Sequence, residues 1–235
     1  MRPPLTHADI DLILFDLDNT LYPRGLALWS EIDRRILSYV CQTLNLPPDE
    51  AQVVQKRYWR TYGTTIMGLM AEHNIDPEPY LAFVHDFDAR RYLQPNPALA
   101  ETLAGLPQRK AVFTNATAAH ARNVLSALGI LPMFDRLVGM NDTGYISKPH
   151  PLAYERCLAL LETPAHRCLF IEDSAANLPP ARQLGMRTAL VGAPDQGEAD
   201  YYLPQIEDVA GLFVAERIFA PPPLPIFDAD KPGAL

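Results

Sequence analysis

A short apolar run ends in two carboxylates that stand two residues apart. Leu12–Phe15 form the run, and Asp16 and Asp18 follow it. An apolar run of this length predicts a buried strand. Side chains two residues apart in an extended chain share a face, so both carboxylates can point into one pocket at the strand end. Neighbouring carboxylates repel unless a positive charge lies between them, and a hard divalent cation with oxygen ligands is suited to that place.

The composition excludes several classes of partner and location. The chain has 235 residues, of which 48% are hydrophobic and 20% are charged. This length suits one α/β domain with a smaller accessory domain. The net charge of −8 argues against a nucleic-acid polymer or an anionic membrane as the partner. No apolar run reaches membrane-spanning length, residues 1–11 lack a signal-peptide core, and the three scattered cysteines form no metal-type pair, so we expect a cytoplasmic protein.

Strand and helix signals alternate along most of the chain. This alternation predicts an α/β fold, a Rossmann-like doubly wound parallel sheet. Residues 22–94 carry no strand signal, but apolar residues recur every fourth position from Leu28 to Leu44, and a further stripe runs from Tyr80 to Phe87. We therefore expect an all-helical cap inserted after the first strand. The predicted organisation is a core of residues 9–21 and 95–219, a cap of residues 22–94, and an extended, Pro-rich tail of residues 220–235.

Polar residues at three later points repeat the pattern of the first strand end. Thr114 and Asn115 follow a strand signal, Lys148 follows a Gly-containing loop, and Glu172 and Asp173 follow another strand signal. Each has an ordinary alternative: a capping turn, a solvated lysine, and an acidic helix cap. All four segments are expected at strand ends, which converge on one edge of a parallel sheet. Their convergence favours an active site that binds a cation and an oxyanion.

The four segments resemble, in order, the four motifs of the haloacid dehalogenase superfamily of phosphohydrolases. The matching residues are 15–21, 113–115, 148–149 and 171–174. The resemblance covers nearly everything from Leu12 to Val191 and makes the helical insert similar to that superfamily's C1 cap. Segments 19–23, 62–69 and 174–178 are similar to the pyrimidine 5′-nucleotidase branch. Pro179-Pro180 departs from the pattern, and because prolines fit only a first helical turn, we expect this helix to start late.

The resemblance implies a role for each motif residue. Asp16 would attack phosphorus and form an aspartyl-phosphate, and Asp18 would protonate the leaving oxygen and then activate water. Thr114, the backbone of Asn115 and Lys148 would hold the phosphoryl oxygens. Phosphoryl transfer needs this positioning and neutralisation of negative charge.

The resemblance also implies Mg²⁺ as the cofactor. Its ligands would be a carboxylate oxygen of Asp16, the backbone carbonyl of Asp18 and the carboxylate of Asp173, with Glu172 acting through water. Mg²⁺ prefers a few carboxylates together with waters and phosphate, which agrees with this set.

The implied activity is a phosphomonoesterase, with a pyrimidine nucleoside monophosphate as the substrate. Asp18 favours phosphate chemistry over dehalogenation, because a leaving halide needs no acid. Tyr62, Thr64 and Thr65 lie beside Gly63, a break between helices, and are candidates to contact the base; Tyr62 could equally pack inside the cap. A sugar phosphomutase, a phosphatase for another small ester and a non-catalytic binding module of the same fold remain alternatives, and a homodimer is left open.

Overall fold

A parallel sheet forms the centre of the molecule. The structure, a computed structural model, describes residues 3–192 and 199–214, so the predicted tail lies outside the described residues. The strands are β1 (Leu5–Thr6), β2 (Leu12–Phe15), β3 (Arg109–Phe113), β4 (Arg136–Val138), β5 (Cys168–Glu172), β6 (Arg187–Val191), β7 (Tyr201–Leu203) and β8 (Phe213–Val214). Six of them form one sheet in the order β4-β3-β2-β5-β6-β7, with every pair parallel. The predicted parallel α/β fold is confirmed.

Helices α1 (Ala27–Leu44), α2 (Pro48–Tyr62), α3 (Thr65–His73) and α4 (Pro77–His85) follow β2 and pack mainly on one another. Helices α5 (Pro97–Ala104), α6 (Ala118–Leu128), α7 (Pro151–Leu161) and α8 (Leu178–Gln183) cover the two faces of the sheet. Alternate residues of β2 join opposite cores, because side chains along a strand alternate between faces. Ile13 and Phe15 pack in the core that contains α5 and α6, whereas Leu12 and Leu14 pack in the core that contains α7 and α8.

The segment between β2 and β3 is helical, as expected, and its helix ends follow local rules. Asp76 caps α4, because its Oδ1 accepts a hydrogen bond from the Glu78 N–H at 3.0 Å. Gly63 ends α2 with a φ of +83°, a conformation that favours glycine. The apolar stripe predicted a helix that continues to Phe87, but α4 ends at His85, and Asp86 has a non-helical ψ of 69°.

The late start of α8 was predicted, but some short strands were not. Pro179 and Pro180 lie in the first turn of α8, after a short 3-10 turn, so the late helix start is confirmed. The last clear strand signal in the sequence is residues 188–191, yet β7 extends the main sheet and β8 pairs with β1. These strands have two or three residues, which is too short for a periodic signal. Among the described residues, no helix combines the length and apolar character that a membrane crossing requires.

Gly139, directly after β4, lies against the turn that follows β3. The backbone N–H of Met140 donates to the carbonyl of Ala116 at 2.8 Å. A Cβ at position 139 would lie 2.9 Å from that carbonyl oxygen, 2.7 Å from the Thr117 carbonyl carbon, and closer still to the Ala118 nitrogen. Only glycine allows this approach, because backbone atoms cannot move aside as a flexible side chain does.

Gly139→Ala should therefore lower the free energy of unfolding by about 1–3 kcal/mol through overpacking. Urea unfolding measures this change. Gly211→Ala is the control, because Gly211 is exposed and an added Cβ there meets no atom within 4 Å. Equal stability of the two variants would show that the approach at Gly139 is not tight.

Candidate active site

Three neighbouring strands end at one edge of the sheet and place three polar residues there. Asp16 follows β2, Thr114 follows β3, and Glu172 is the last residue of β5. Because β2 lies between β3 and β5 and is parallel to both, the carboxyl ends of all three strands meet. All three side chains are buried. This edge is the centre of the candidate site.

Lys148 ties these strand ends together. Its side chain is 1% exposed, and its Nζ donates to Asp16 Oδ1 at 2.6 Å, Glu172 Oε2 at 2.7 Å and the Phe113 carbonyl at 3.0 Å. An ammonium has three donors, so this lysine is fully used. Although burial opposes it, the charges of Asp16 and Glu172 raise the pKa of Lys148. The group therefore stays positive and offsets two carboxylates.

Lys148 reaches the site by a route that differs from the prediction. It does not lie at a strand end, because β4 already ends at Val138 and a long loop follows. The side chain of Asn115 holds the lysine backbone: Oδ1 accepts from its N–H at 2.8 Å and Nδ2 donates to its carbonyl at 3.1 Å. Gly63 also approaches this loop, because a Cβ added at position 63 would lie 3.2 Å from Pro149 Cδ. Asn115 thus has a bracing role that the sequence did not indicate.

Two threonine hydroxyl groups lie at this edge of the sheet, one beside Asp16 and one at the end of β3. Thr20 Oγ1 donates to Asp16 Oδ2 at 2.9 Å, so each oxygen of Asp16 has a donor. Thr114 Oγ1 accepts from the Ala116 N–H at 3.0 Å. A hydroxyl that accepts one bond still carries a hydrogen of its own to donate, so Thr114 can serve an oxyanion at this edge.

Three carboxylates at this edge have the chemistry of a cation site. Asp16, Glu172 and Asp173 each offer an oxygen, and these oxygens lie within 4.8 Å of one another. Burial, then the charge of Glu172, raises the pKa of Asp16 to about 7 against the pull of Lys148. Burial also raises the pKa of Glu172 and of Asp173. Neighbouring acids add to burial in raising each of these pKa values, and a hard cation would relieve the repulsion between them.

Asp173 also binds an arginine that the sequence analysis did not single out. Arg24 donates from Nε and Nη2 to Asp173 Oδ2, at 3.1 and 2.7 Å, and from Nη2 to the Asp173 carbonyl at 2.7 Å. The arginine side chain is 59% exposed and that of Asp173 is 11% exposed. Arg24 therefore lies at the mouth of the site, where a cation at Asp173 would share this carboxylate with it.

Asp18 lies in a different environment from Asp16, although only one residue separates them. Its Oδ1 accepts from the Tyr22 hydroxyl at 2.6 Å and faces His120 Nε2 at 3.5 Å. Burial acts to raise the pKa of Asp18, but the proximity of His120, together with the hydrogen bond from Tyr22, lowers it overall. The two carboxylates thus have pKa values shifted in opposite directions, which suits two different chemical tasks.

The predicted specificity residues have contacts within the helical segment. The Tyr62 hydroxyl donates to Glu72 Oε1 at 3.0 Å, as expected if Tyr62 packs inside that segment. Thr64 caps α3 by accepting from the Met67 N–H at 3.4 Å, and Thr65 is buried. Their contact with a substrate stays a prediction, and the close approach of Gly63 to Pro149 puts this turn beside the Lys148 loop.

Arg24, Tyr22 and His120 had weak signals in the sequence. Tyr22 lies four residues after Asp18, and a tight turn in which Asn19 has a φ of +63° brings the two together. His120 lies in the first turn of α6, the helix that starts just after Thr114, so it is near the correct sheet edge. Arg24 contacts a residue 149 positions away, which no local pattern indicates.

In a chelating buffer, the free energy of unfolding should fall as the pH rises from about 4 to about 7, the window between the ordinary and the raised pKa of Asp16. There the folded state holds a proton that the unfolded state has released. Asp16→Asn removes this group and should flatten the decline, since each unit of pKa difference is worth about 1.4 kcal/mol. Urea unfolding at several pH values measures the slope.

The control for this experiment is Asp49→Asn, which changes an exposed aspartate at the start of α2. It should keep the slope of the wild type. An unchanged slope in Asp16→Asn would contradict the raised pKa of Asp16.

The chain is similar in sequence to known proteins from other organisms. It is 28% identical over 191 residues to Phosphate metabolism protein 8 of Saccharomyces cerevisiae, which covers 74% of this chain and 59% of that protein. The chain thus matches less than two thirds of the yeast protein's length. It is 28% identical over 189 residues to Phosphoglycolate phosphatase of Pectobacterium atrosepticum, which covers 75% of this chain and 77% of that protein.

A solved structure and a family model complete the comparison. A HAD phosphatase from Thermococcus onnurineus has a TM-score of 0.60 and 18% identity, covering 86% of this chain and 97% of that one, which supports the fold. A family model described as haloacid dehalogenase-like hydrolase matches residues 10–185, a range that contains all four predicted motifs. Because this match covers well over half of the sequence, the chain belongs to the haloacid dehalogenase-like hydrolases.

Proposed function

We propose that the chain is a Mg²⁺-dependent phosphomonoesterase that works through an aspartyl-phosphate and hydrolyses pyrimidine nucleoside 5′-monophosphates. The observation that carries the chemistry is the buried contact of Lys148 with Asp16 at the meeting point of three strand ends. It supplies a fixed carboxylate nucleophile and a fixed positive charge within one hydrogen bond of each other. Phosphoryl transfer requires both, because catalysis consists largely of positioning and charge stabilisation.

The phosphatase part of the proposal follows from family membership together with the relatives. One relative is named Phosphoglycolate phosphatase and another Phosphate metabolism protein 8. Asp18 is the residue that separates phosphate chemistry from halide release, since an alkoxide leaving group needs a proton and a halide does not. The chain is therefore a phosphatase of the haloacid dehalogenase type.

In the first step, a carboxylate oxygen of Asp16 forms a bond to phosphorus while the bond from phosphorus to the ester oxygen breaks. Asp18 gives its proton to that oxygen, so the product leaves as a neutral alcohol. The hydroxyl of Thr114 and the backbone N–H of Asn115 hold the phosphoryl oxygens, and Lys148 joins them with the donor that it releases from Asp16 as Asp16 bonds phosphorus. Asp18 must be protonated first, and the negative charge of a bound phosphate monoester raises the pKa of a nearby carboxyl group.

In the second step, water attacks the aspartyl-phosphate and releases inorganic phosphate. Asp18, now ionised, accepts a proton from this water, and the lowered pKa of Asp18 is compatible with the ionised state that this role requires. The carboxylate of Asp16 is regenerated and returns to Lys148.

The carboxylates of Asp16, Glu172 and Asp173 and the backbone carbonyl of Asp18 are the groups that would hold Mg²⁺. Bound there, the ion would supply positive charge against the phosphoryl oxygens. The three carboxylates fit it, because each offers a hard oxygen ligand and these oxygens lie within 4.8 Å of one another.

The nucleotide part of the proposal rests on sequence similarity in three segments and on the position of the α2–α3 turn. Gly63 approaches Pro149 next to Lys148, so residues of this turn lie near the path of a leaving group. Thr64 is partly exposed there, whereas Tyr62 is engaged with Glu72. A hydroxyl at this position can bond the polar edge of a base.

A panel of phosphate esters tests the function. With Mg²⁺ present, uridine and cytidine monophosphates should give larger kcat/KM values than purine monophosphates, phosphoglycolate or sugar phosphates. Asp16→Asn should abolish phosphate release from all of them, because a neutral amide of the same size cannot attack phosphorus. Preference for phosphoglycolate or a sugar phosphate would remove the nucleotidase assignment, and interconversion of sugar phosphates with little phosphate release would indicate a phosphomutase.

Mg²⁺ binding has a test that does not depend on turnover. At a concentration 100 times its dissociation constant, Mg²⁺ should stabilise the folded protein by about 2.7 kcal/mol, which thermal unfolding detects as a higher Tm. Asp173→Asn should reduce this increase, while Asp49→Asn should keep it. If chelator and Mg²⁺ give the same Tm and titration calorimetry detects no binding, the metal site is wrong.

A further inference from the structure

Two side chains outside the four motifs converge on one oxygen of Asp18. The Tyr22 hydroxyl donates to Oδ1 at 2.6 Å, and His120 Nε2 lies 3.5 Å from the same atom. Building on the proposed function, we propose that Tyr22 and His120 are positioning residues that fix Asp18 Oδ1, so that Oδ2 carries the proton exchanged with the leaving group and with water. Neither residue needs to touch the substrate in this role.

The burial of His120 requires an explanation. Its side chain has no exposure to solvent, and neither ring nitrogen has a hydrogen-bond partner of normal geometry. A buried donor or acceptor without a partner destabilises the folded state. Asp18 Oδ1 lies at the outer limit of hydrogen-bond distance from Nε2, and hydrogen bonds in active sites are often long before substrate binds. A small movement of Asp18 would complete the bond.

Neighbouring rings hold His120 in this orientation. The ring of His85 lies 4.3 Å from that of His120 between centroids, at an angle of 32°. Phe87 packs against His120 at 5.7 Å with an angle of 64°. Burial, then the proximity of His120, lowers the pKa of His85 to about 3, so His85 is neutral at physiological pH. Its Nδ1 lies 3.0 Å from the Leu81 carbonyl, the position of a hydrogen bond within α4.

The segment that carries these rings is fixed to α6, the helix that carries His120. Asn123 on α6 donates from Nδ2 to the Phe87 carbonyl at 2.7 Å and accepts from the Ala89 N–H at 3.3 Å. His120 is therefore confined by the end of the helical segment on one side and by Asp18 on the other. Such support restricts an imidazole to one rotamer, which is what positioning a catalytic group demands.

Tyr22 can act only as a donor towards Asp18. It is buried, and burial, then the charge of Asp18, raises the pKa of its hydroxyl well above the ordinary value. Two donors on Oδ1 stabilise the extra electron density of an unprotonated oxygen there. The proton of the acid form is thereby directed to Oδ2, and the carboxylate plane is fixed for both steps.

The test measures how activity depends on the leaving group. A nitrophenyl phosphate expels an oxygen that needs no proton, whereas an alkyl phosphate expels one that does. We expect His120→Leu to reduce kcat/KM for the alkyl ester by about 10²-fold, within the range for acid–base catalysis. For the nitrophenyl ester, kcat/KM should stay close to the wild-type value, while kcat and KM fall together because hydrolysis of the aspartyl-phosphate becomes slower.

Conservative variants separate positioning from packing. His120→Gln keeps a side-chain N–H donor and should recover most of the loss on the alkyl ester. Tyr22→Phe removes the other donor and should reduce activity on the alkyl ester selectively. Tyr201→Phe is the matched control, since its hydroxyl bonds the Pro3 carbonyl at 2.9 Å, away from Asp18, and it should keep wild-type ratios between esters.

A second measurement follows the phosphoenzyme itself. Rapid-quench mixing of His120→Leu with the nitrophenyl ester should show accumulation of the aspartyl-phosphate, because its hydrolysis depends on Asp18 as the base. Equal losses on both esters that track the folded fraction of each variant would overturn the positioning role and leave the phosphatase function intact. A wild type that hydrolyses neither ester would overturn the proposed function and the positioning role with it.

Discussion

The arrangement of the site depends on one buried ammonium group. Lys148 is almost fully buried and satisfies all three of its donors, on two carboxylates and one strand-end carbonyl. Removing a charge from water costs several kcal/mol unless it is paired and fully hydrogen bonded. Pairing with Asp16 and Glu172 provides this, and the Phe113 carbonyl anchors the lysine to β3. One side chain thereby links the ends of the three central strands.

The burial of Lys148 also explains why several contacts fix the loop that carries it. A lysine side chain loses considerable rotamer freedom when it is fixed, so its backbone must be placed by other contacts. Asn115 provides two hydrogen bonds to the backbone of Lys148, and Gly63 packs against Pro149. Asn115 lies just after β3. The residue that holds the backbone of Lys148 therefore lies two positions after Phe113, whose carbonyl accepts a hydrogen bond from the lysine side chain. The helical segment also contributes to this placement through Gly63.

Much of the fold could be predicted because it depends on local patterns. The apolar run of β2 and the cap of α4 at Asp76 are visible within a few residues of sequence. The strand-end positions of Asp16, Thr114 and Glu172 followed from the same patterns, together with the geometry of a parallel sheet. The pairing of Lys148 with Asp16 could also be expected from the sequence. The other contacts that complete the site could not, because they join distant parts of the chain.

The contacts that were missed have a common physical origin. Arg24 binds Asp173 and His120 faces Asp18 only because the packed sheet and helices bring these segments together. The orientation of Tyr62 towards Glu72 depends likewise on how α2 and α3 pack. A residue type and its spacing state what a side chain can do, but tertiary packing decides which partner it meets.

Charge connects these local contacts to the chemistry. The site gathers four acidic side chains and two basic ones; the acids are Asp16, Asp18, Glu172 and Asp173, and the bases are Lys148 and Arg24. Two negative charges are left without a counter-charge when all the acids are ionised, and repulsion between the acids adds to burial in raising the pKa values of three of them. A phosphate monoester would bring further negative charge into the same buried space. A divalent cation balances the protein's own excess, so the hydroxyl of Thr114 and the Lys148 donor that Asp16 releases when it bonds phosphorus can stabilise the charge that develops on the substrate.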